Sequence, residues 1–182
     1  METIRVLMIC GSLRAGSTNE AALRTALAVA PAAVEGTLYT GMGALPHFNP
    51  DDDREPLNPA VAELRAAIGA ADALLFCTPE YAGALPGSFK NLLDWTIGGG
   101  EIYEKPAAWI NVASPAAPAG GADAHASLRK VLGYASAEIV EDACARIPVT
   151  RPDVGPDGLV HAPELRAGIA DALGALADHC RG

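Results

Sequence analysis

The chain has 182 residues, 50% of them hydrophobic and 5% aromatic. That is enough apolar material for a single domain over 1–182 with one continuous core, but too few aromatics for nucleic-acid stacking platforms. A formal net charge of −9, with Arg129–Lys130 the only adjacent basic pair, argues against nucleic acid as a partner, because a phosphate backbone needs clustered Lys and Arg.

No window approaches the roughly 20 apolar residues that span a bilayer. Met1 to Arg5 runs straight into a short apolar segment without a basic leader, so no membrane association and a cytoplasmic location are expected. Cys10, Cys77, Cys144 and Cys180 form no CxxC pair; buried free thiols are expected, not a zinc or dithiol site. His47, His125, His161 and His179 lack ligand spacing, and no metal is expected.

In chain order, Ile4 to Ile9 is an apolar run ending at Gly11, the pattern of a parallel strand buried on both faces. The period then changes to helical, with Leu23, Ala26, Leu27 and Ala30 on one face, and Ser17-x-x-Glu20 forms a capping box at the start. Val34 to Thr40 reads as a second strand and Gly41 to Pro56 as a long loop. Asn58–Pro59 opens a second helix carrying Val61, Leu64 and Ile68.

Asp72 to Cys77 is a third strand, Thr78 to Leu85 a loop, and Pro86 to about Ile97 a helix with Phe89, Leu92 and Leu93 inward. Ala107 to Ala113 is the fourth strand, followed by a Pro-, Ala- and Gly-rich loop from Ser114 to Gly121 and a helix marked by Ala124, Leu128, Val131 and Leu132. Ala137 to Ala143 reads as a weak fifth strand, interrupted by Glu138, Glu141 and Asp142 and therefore placed at an edge. Leu165, Ile169, Leu173 and Leu176 form the closing helix. Strict alternation predicts an α/β doubly wound five-stranded parallel sheet with helices on both faces. Ligands bind such sheets beyond the carboxyl ends of the strands, which singles out the loops Cys10 to Asn19, Thr78 to Leu85 and Ser114 to Gly121.

The first of these, Gly11-Ser-Leu-Arg-Ala-Gly-Ser-Thr-Asn19, sits where free backbone N–H groups and a helix dipole favour an anion. It lacks a dinucleotide fingerprint, since Leu13 occupies the middle glycine position, and it lacks the Walker lysine, since Ser17 stands there. What remains is Ser12, Ser17, Thr18 and Asn19 with a single Arg14, a set suited to wrapping a phosphate monoester such as that of FMN. The competing reading is that Ser17 only caps the helix. In the second loop, Pro79-Glu80-Tyr81-Ala82-Gly83 has the rigidity and backbone access to meet a flat ring, with Tyr81 beside it, although turn chemistry alone also accounts for its Pro and Gly.

Together these residues resemble the NADPH-dependent FMN reductase family of flavodoxin-like proteins. The resemblance rests on Gly11, Ser12, Arg14, Ser17 and Asn19, on Thr78-Pro79-Glu80-Tyr81 with Leu85-Pro86-Gly87, Lys90-Asn91 and Asp94-Trp95, and on Ser114 with Gly120 and Gly121. It implies a flavodoxin-like fold, phosphate contacts from Ser12, Arg14, Ser17 and Asn19, and flavin-ring contacts from Pro79, Glu80 and Tyr81 mainly through backbone groups; Thr18, Ala82, Gly83 and Ser114 complete the expected cofactor-binding set. Many members carry Asn directly after the Tyr, where this chain has Ala82. The implied activity is hydride transfer from NADPH or NADH through bound FMN to a small-molecule acceptor such as a quinone, azo compound or flavin, with no catalytic side chain of its own. A flavin-binding electron carrier or redox-sensing interaction protein is the alternative. Members commonly form homodimers or homotetramers, for which the stretch Trp95 to Tyr103 is the expected interface.

Overall fold

The computed structural model describes residues 3–182; Met1 and Glu2, on which the expectation of no basic leader partly rests, lie outside it. Strand β1 (Ile4–Cys10) pairs in parallel with β2 (Val34–Tyr39) on one side and β3 (Ala73–Cys77) on the other. Strand β4 (Pro106–Asn111) adds to β3, and β5 (Glu138–Ile139) closes the edge, giving the order β2-β1-β3-β4-β5. The order reverses between β1 and β3, so the loops after those strands part to opposite faces and leave a crevice.

The fifth strand is the correction to the sequence expectation. Ala137 to Ala143 is not continuous: β5 covers only Glu138–Ile139 against the first half of β4, Glu141–Ala143 turns as a 3-10 segment, and β6 (Ala145–Arg146) resumes pairing with Ile110 and Asn111. The bulge has a simple cause. It carries Glu141 and Asp142, two carboxylates that burial would leave unsolvated, and turning outward exposes both and lets Glu141 pair with Arg129 of the neighbouring helix.

Helices α1 (Thr18–Ala28) and α5 (Pro163–His179) cover one face of the sheet, and α2 (Pro59–Ala70), α3 (Gly87–Trp95) and α4 (Ala122–Tyr134) cover the other. Each face has its own apolar core. Met8, Leu75 and Ile110 meet Leu23, Ile169 and Leu173 on the first, and Ile9, Phe76 and Trp109 meet Ile68, Phe89, Trp95 and Leu128 on the second. Strand residues alternate between the two, which is why the strands read as unbroken apolar runs.

The long segment between β2 and α2 contains two 3-10 turns, Gly41–Ala44 and Pro50–Asp52. Asn91 and Trp95 of α3 hold it: Asn91 Nδ2 and Trp95 Nε1 each donate to the Pro46 carbonyl at 2.9 Å, and Phe48 N donates to Asn91 Oδ1 at 2.7 Å. Of the four thiols, Cys77 is buried and Cys10, Cys144 and Cys180 are half-buried, all free. Among the described residues no helix is long and apolar enough to cross a membrane.

Candidate flavin site

At the carboxyl end of the sheet the three singled-out loops surround one cavity of about 510 Å³. Gly11 begins the first loop, donating its N–H to the Cys77 carbonyl at 2.9 Å. A side chain there would collide with Thr78, its Cβ falling 2.6 Å from Thr78 Cβ, so glycine lets the loop cross the end of β3. Ser17 is the N-cap of α1, and its Oγ accepts the Glu20 N–H at 3.1 Å. The capping box is shifted by one residue, because the Glu20 carboxylate accepts from Gly16 N at 3.1 Å and not from Ser17.

The Ser17 hydroxyl hydrogen stays free to donate. So do the N–H groups of Thr18 and Asn19, the first two of α1, which have no acceptor among the described residues. Asn19 is buried, with Oδ1 accepting from Cys77 Sγ at 3.3 Å, which turns its amide donors the other way. Arg14 is exposed and in no ion pair among the described residues. Ser12, Arg14, Ser17, Thr18 and Asn19 all line the cavity.

From the second loop Thr78, Pro79, Glu80 and Tyr81 line the same cavity. Ala82 and Gly83 do not line it. They form the tip of a tight turn in which Tyr81 and Ala84 exchange backbone hydrogen bonds at 3.0 and 3.1 Å, with φ of 51° at Ala82 and 71° at Gly83. Two successive positive φ values define a type I′ turn, whose preferred pair is Asn-Gly. The N–H groups of Ala82 and Gly83 have no acceptor among the described residues. Glu80 Oε2 accepts from the Asp123 and Ala124 N–H groups at 3.0 and 3.1 Å, capping α4 and fixing the second loop to that helix.

The third loop contributes Ser114, Ala117, Pro118 and Gly121. Asn111, at the end of β4, shapes it: Oδ1 accepts from Ala113 N and Nδ2 donates to the Gly120 carbonyl, both at 2.9 Å. Gly121, at φ 79°, leaves no room for a Cβ beside Asn111 Oδ1. His125, one turn further on, is buried behind the site and does not line it; its Nδ1 lies 2.7 Å from the Gly121 carbonyl, and burial pushes its pKa down.

A family model described as NADPH-dependent FMN reductase matches residues 4–148. The chain belongs to that family. It is 44% identical over 94 residues to the NAD(P)H-dependent FMN reductase PA1204 of Pseudomonas aeruginosa, a match covering 52% of this chain and only half of that protein's length. It is 32% identical over 143 residues to the quinone reductase of Escherichia coli, covering 76% of this chain and 74% of the relative. Among solved structures, the flavoenzyme NAD(P)H:(acceptor) oxidoreductase FerB from Paracoccus denitrificans superposes with a TM-score of 0.81 at 28% identity, covering 97% of this chain and 99% of that one. A flavodoxin mutant from Pseudomonas aeruginosa superposes with a TM-score of 0.61 at 18% identity over 96% of this chain, a likeness of fold.

Sequence reasoning missed one side of this reductase-family cavity. Val149, Thr150 and Arg151, just past the segment that matches the family, complete its wall. They belong to no amphipathic period, and only the return of β6 to the sheet brings them there.

Proposed function

We propose that the cavity holds FMN and that the chain is an NAD(P)H-dependent oxidoreductase reducing quinones, azo compounds or flavins. The donor set fits the cofactor. Hydroxyls of Ser12, Ser17 and Thr18, the Asn19 amide, the open first-turn N–H groups of α1 and Arg14, which is in no ion pair among the described residues, suit a dianionic phosphate monoester. Pro79, Glu80 and Tyr81, the second-loop residues that line the cavity, suit contact with a flat flavin ring. The carrying observation is that the phosphate-loop donors and the second-loop residues Pro79 to Tyr81 line one cavity at the β1/β3 switch point.

When bound, FMN supplies two-electron chemistry, accepting hydride from NAD(P)H and yielding the electrons to the acceptor. The protein's part is positioning. Glu80 clamps the second loop to α4, Asn111 holds the third, and the Gly11 crossing fixes the first, so the walls of the cavity are set before ligand arrives. No histidine lines the cavity among the described residues, and the Glu80 carboxylate is already engaged by two N–H groups. In the proposed reaction hydride passes directly from ring to ring, and neither group serves as a proton shuttle.

The free thiols suit a reducing cytoplasm. Ile97 and Tyr103 are large apolar side chains left half or more exposed, and they are where a homodimer or homotetramer contact would form. The test is the absorbance spectrum of purified protein under anaerobic conditions. A flavin band that bleaches within seconds of adding NADPH or NADH is the expected result; a stable yellow protein would make it an electron carrier, and a colourless one that takes up no FMN would end the proposal.

A further inference from the structure

The wall that the family match does not reach carries a second cation. Arg151 lines the same cavity as Arg14, is exposed, and is in no ion pair among the described residues. The carboxylate nearest in sequence is not free to neutralise it. Asp153 Oδ2 accepts from Thr150 N at 2.7 Å and from Thr150 Oγ1 at 2.6 Å, closing the 3-10 turn Arg151–Asp153 on itself. These same bonds hold the Asp153 carboxyl below its usual range. The cavity's own carboxylate, Glu80, is compensated by the amino end of α4. In a chain of net charge −9, the crevice therefore concentrates two uncompensated guanidinium groups, a local field that selects anions.

Two features fix the segment that carries Arg151. First, the Arg151 backbone is held in place from both sides: Val149 N donates to the Val112 carbonyl at 3.2 Å, and Val154 N closes the turn on the Arg151 carbonyl at 3.2 Å. Second, the chain leaving this turn runs along α1. Val160 N donates to the buried Thr25 Oγ1 at 2.8 Å, and Gly158 lies against Arg24. Arg151 is thus the head of a segment anchored to the later turns of α1, and it lines the same cavity as the open donors of that helix's first turn.

We propose that Arg151 is a second anchor for the phosphate monoester held at the start of α1, so that Arg14 and Arg151, from opposite ends of the chain, share it. The inference rests on the FMN reading above. A dianionic phosphate has acceptor oxygens enough for both guanidinium groups as well as the hydroxyls and N–H groups of α1.

Fluorescence titration of wild type, Arg151→Ala and Arg151→Lys with FMN and with riboflavin tests it, alongside KM for NADPH. Wild type should prefer FMN. Arg151→Ala should weaken FMN roughly ten- to hundred-fold and leave riboflavin unchanged, and Arg151→Lys, which keeps the charge without the planar fork, should fall between. Riboflavin binding doubles as the check that the variants fold. FMN affinity unchanged in Arg151→Ala would overturn the proposal, and so would equal weakening of both ligands or a raised KM for NADPH as the sole effect, which would assign Arg151 to the hydride donor. A wild type that binds neither ligand would overturn the cofactor reading itself, a different result from any of these.

Discussion

Ala82 holds a left-handed backbone, φ 51°, in a turn whose geometry favours Asn followed by Gly. A Cβ without a polar group gains nothing there to offset its contact with the following carbonyl. Ala82→Asn should therefore raise stability by about 0.5–1 kcal/mol, read as a higher urea midpoint at unchanged m-value; a lower midpoint would mean that the turn is held in some other conformation. Arg14 works through charge instead of conformation. Its replacement by Ala should cost FMN about 1.5–3 kcal/mol of binding and leave riboflavin nearly untouched, and isothermal titration with the two ligands separates a phosphate contact from general loosening of the loop. Asn19 and Ser17 are poorer probes, because each also serves the fold: one accepts from Cys77 and the other caps α1.

Among the elements, the segment between β2 and α2 shows how a loop without a repeating pattern becomes ordered. Arg65, buried on α2, donates through Nη2 to Asp53 Oδ1 at 2.7 Å and through Nε and Nη2 to the Trp95 carbonyl at 3.0 and 2.9 Å, tying loop, α2 and the end of α3 together. Arg65→Met would leave the Asp53 carboxylate and a carbonyl without partners in a largely buried place. Stability should fall by about 3 kcal/mol, measured by denaturant unfolding; an Asp53→Asn, Arg65→Met double variant that recovers part of the loss would locate the cost in the stranded charge.

Such cross-links are invisible in sequence because they join residues with no shared period. What was legible had a period or a cap: β1, β3 and β4 as apolar runs, α1 from Ser17, α2 from Asn58–Pro59, and the three loops that follow the strands. The fifth strand was half legible. Its acids were read as marks of an edge, which they are, but their number in one short run also forces the turn that splits it. Thr150 and Arg151 were illegible at the site because their place depends on the register of β6, set by Ile110 and Asn111 on another strand.

At the scale of the whole molecule, acid weakens the fold through two kinds of group. Burial lowers the pKa of His125 below 6.5, so its unfolded form binds a proton more readily than its folded form. Its contribution to stability is full above that value and falls away as the pH drops below it. Asp72, Asp153, Asp157 and Glu141 are shifted down by Arg5, Thr150, His161 and Arg129 respectively. They protonate more readily when unfolded and withdraw their support at still lower pH, near the ordinary carboxylate values of about 4. Thermal midpoints measured across this range should decline in two stages, and His125→Gln should remove the first while keeping the second; a single acid limb in wild type would show that His125 does not titrate on unfolding.

The division of the interior by the sheet also decides what intrinsic fluorescence can see. Both tryptophans of the chain, Trp95 and Trp109, lie in the layer packed beneath α2, α3 and α4, and the α1/α5 layer has none. Emission at tryptophan wavelengths therefore reports one side of the molecule, whereas circular dichroism averages over both. Coincidence of the two unfolding curves would mean that the layers melt as a unit, and a fluorescence transition displaced from the dichroism curve would be the optical signature of α1 and α5, the helices bordering the phosphate loop and the Arg151 segment, parting from the sheet on their own.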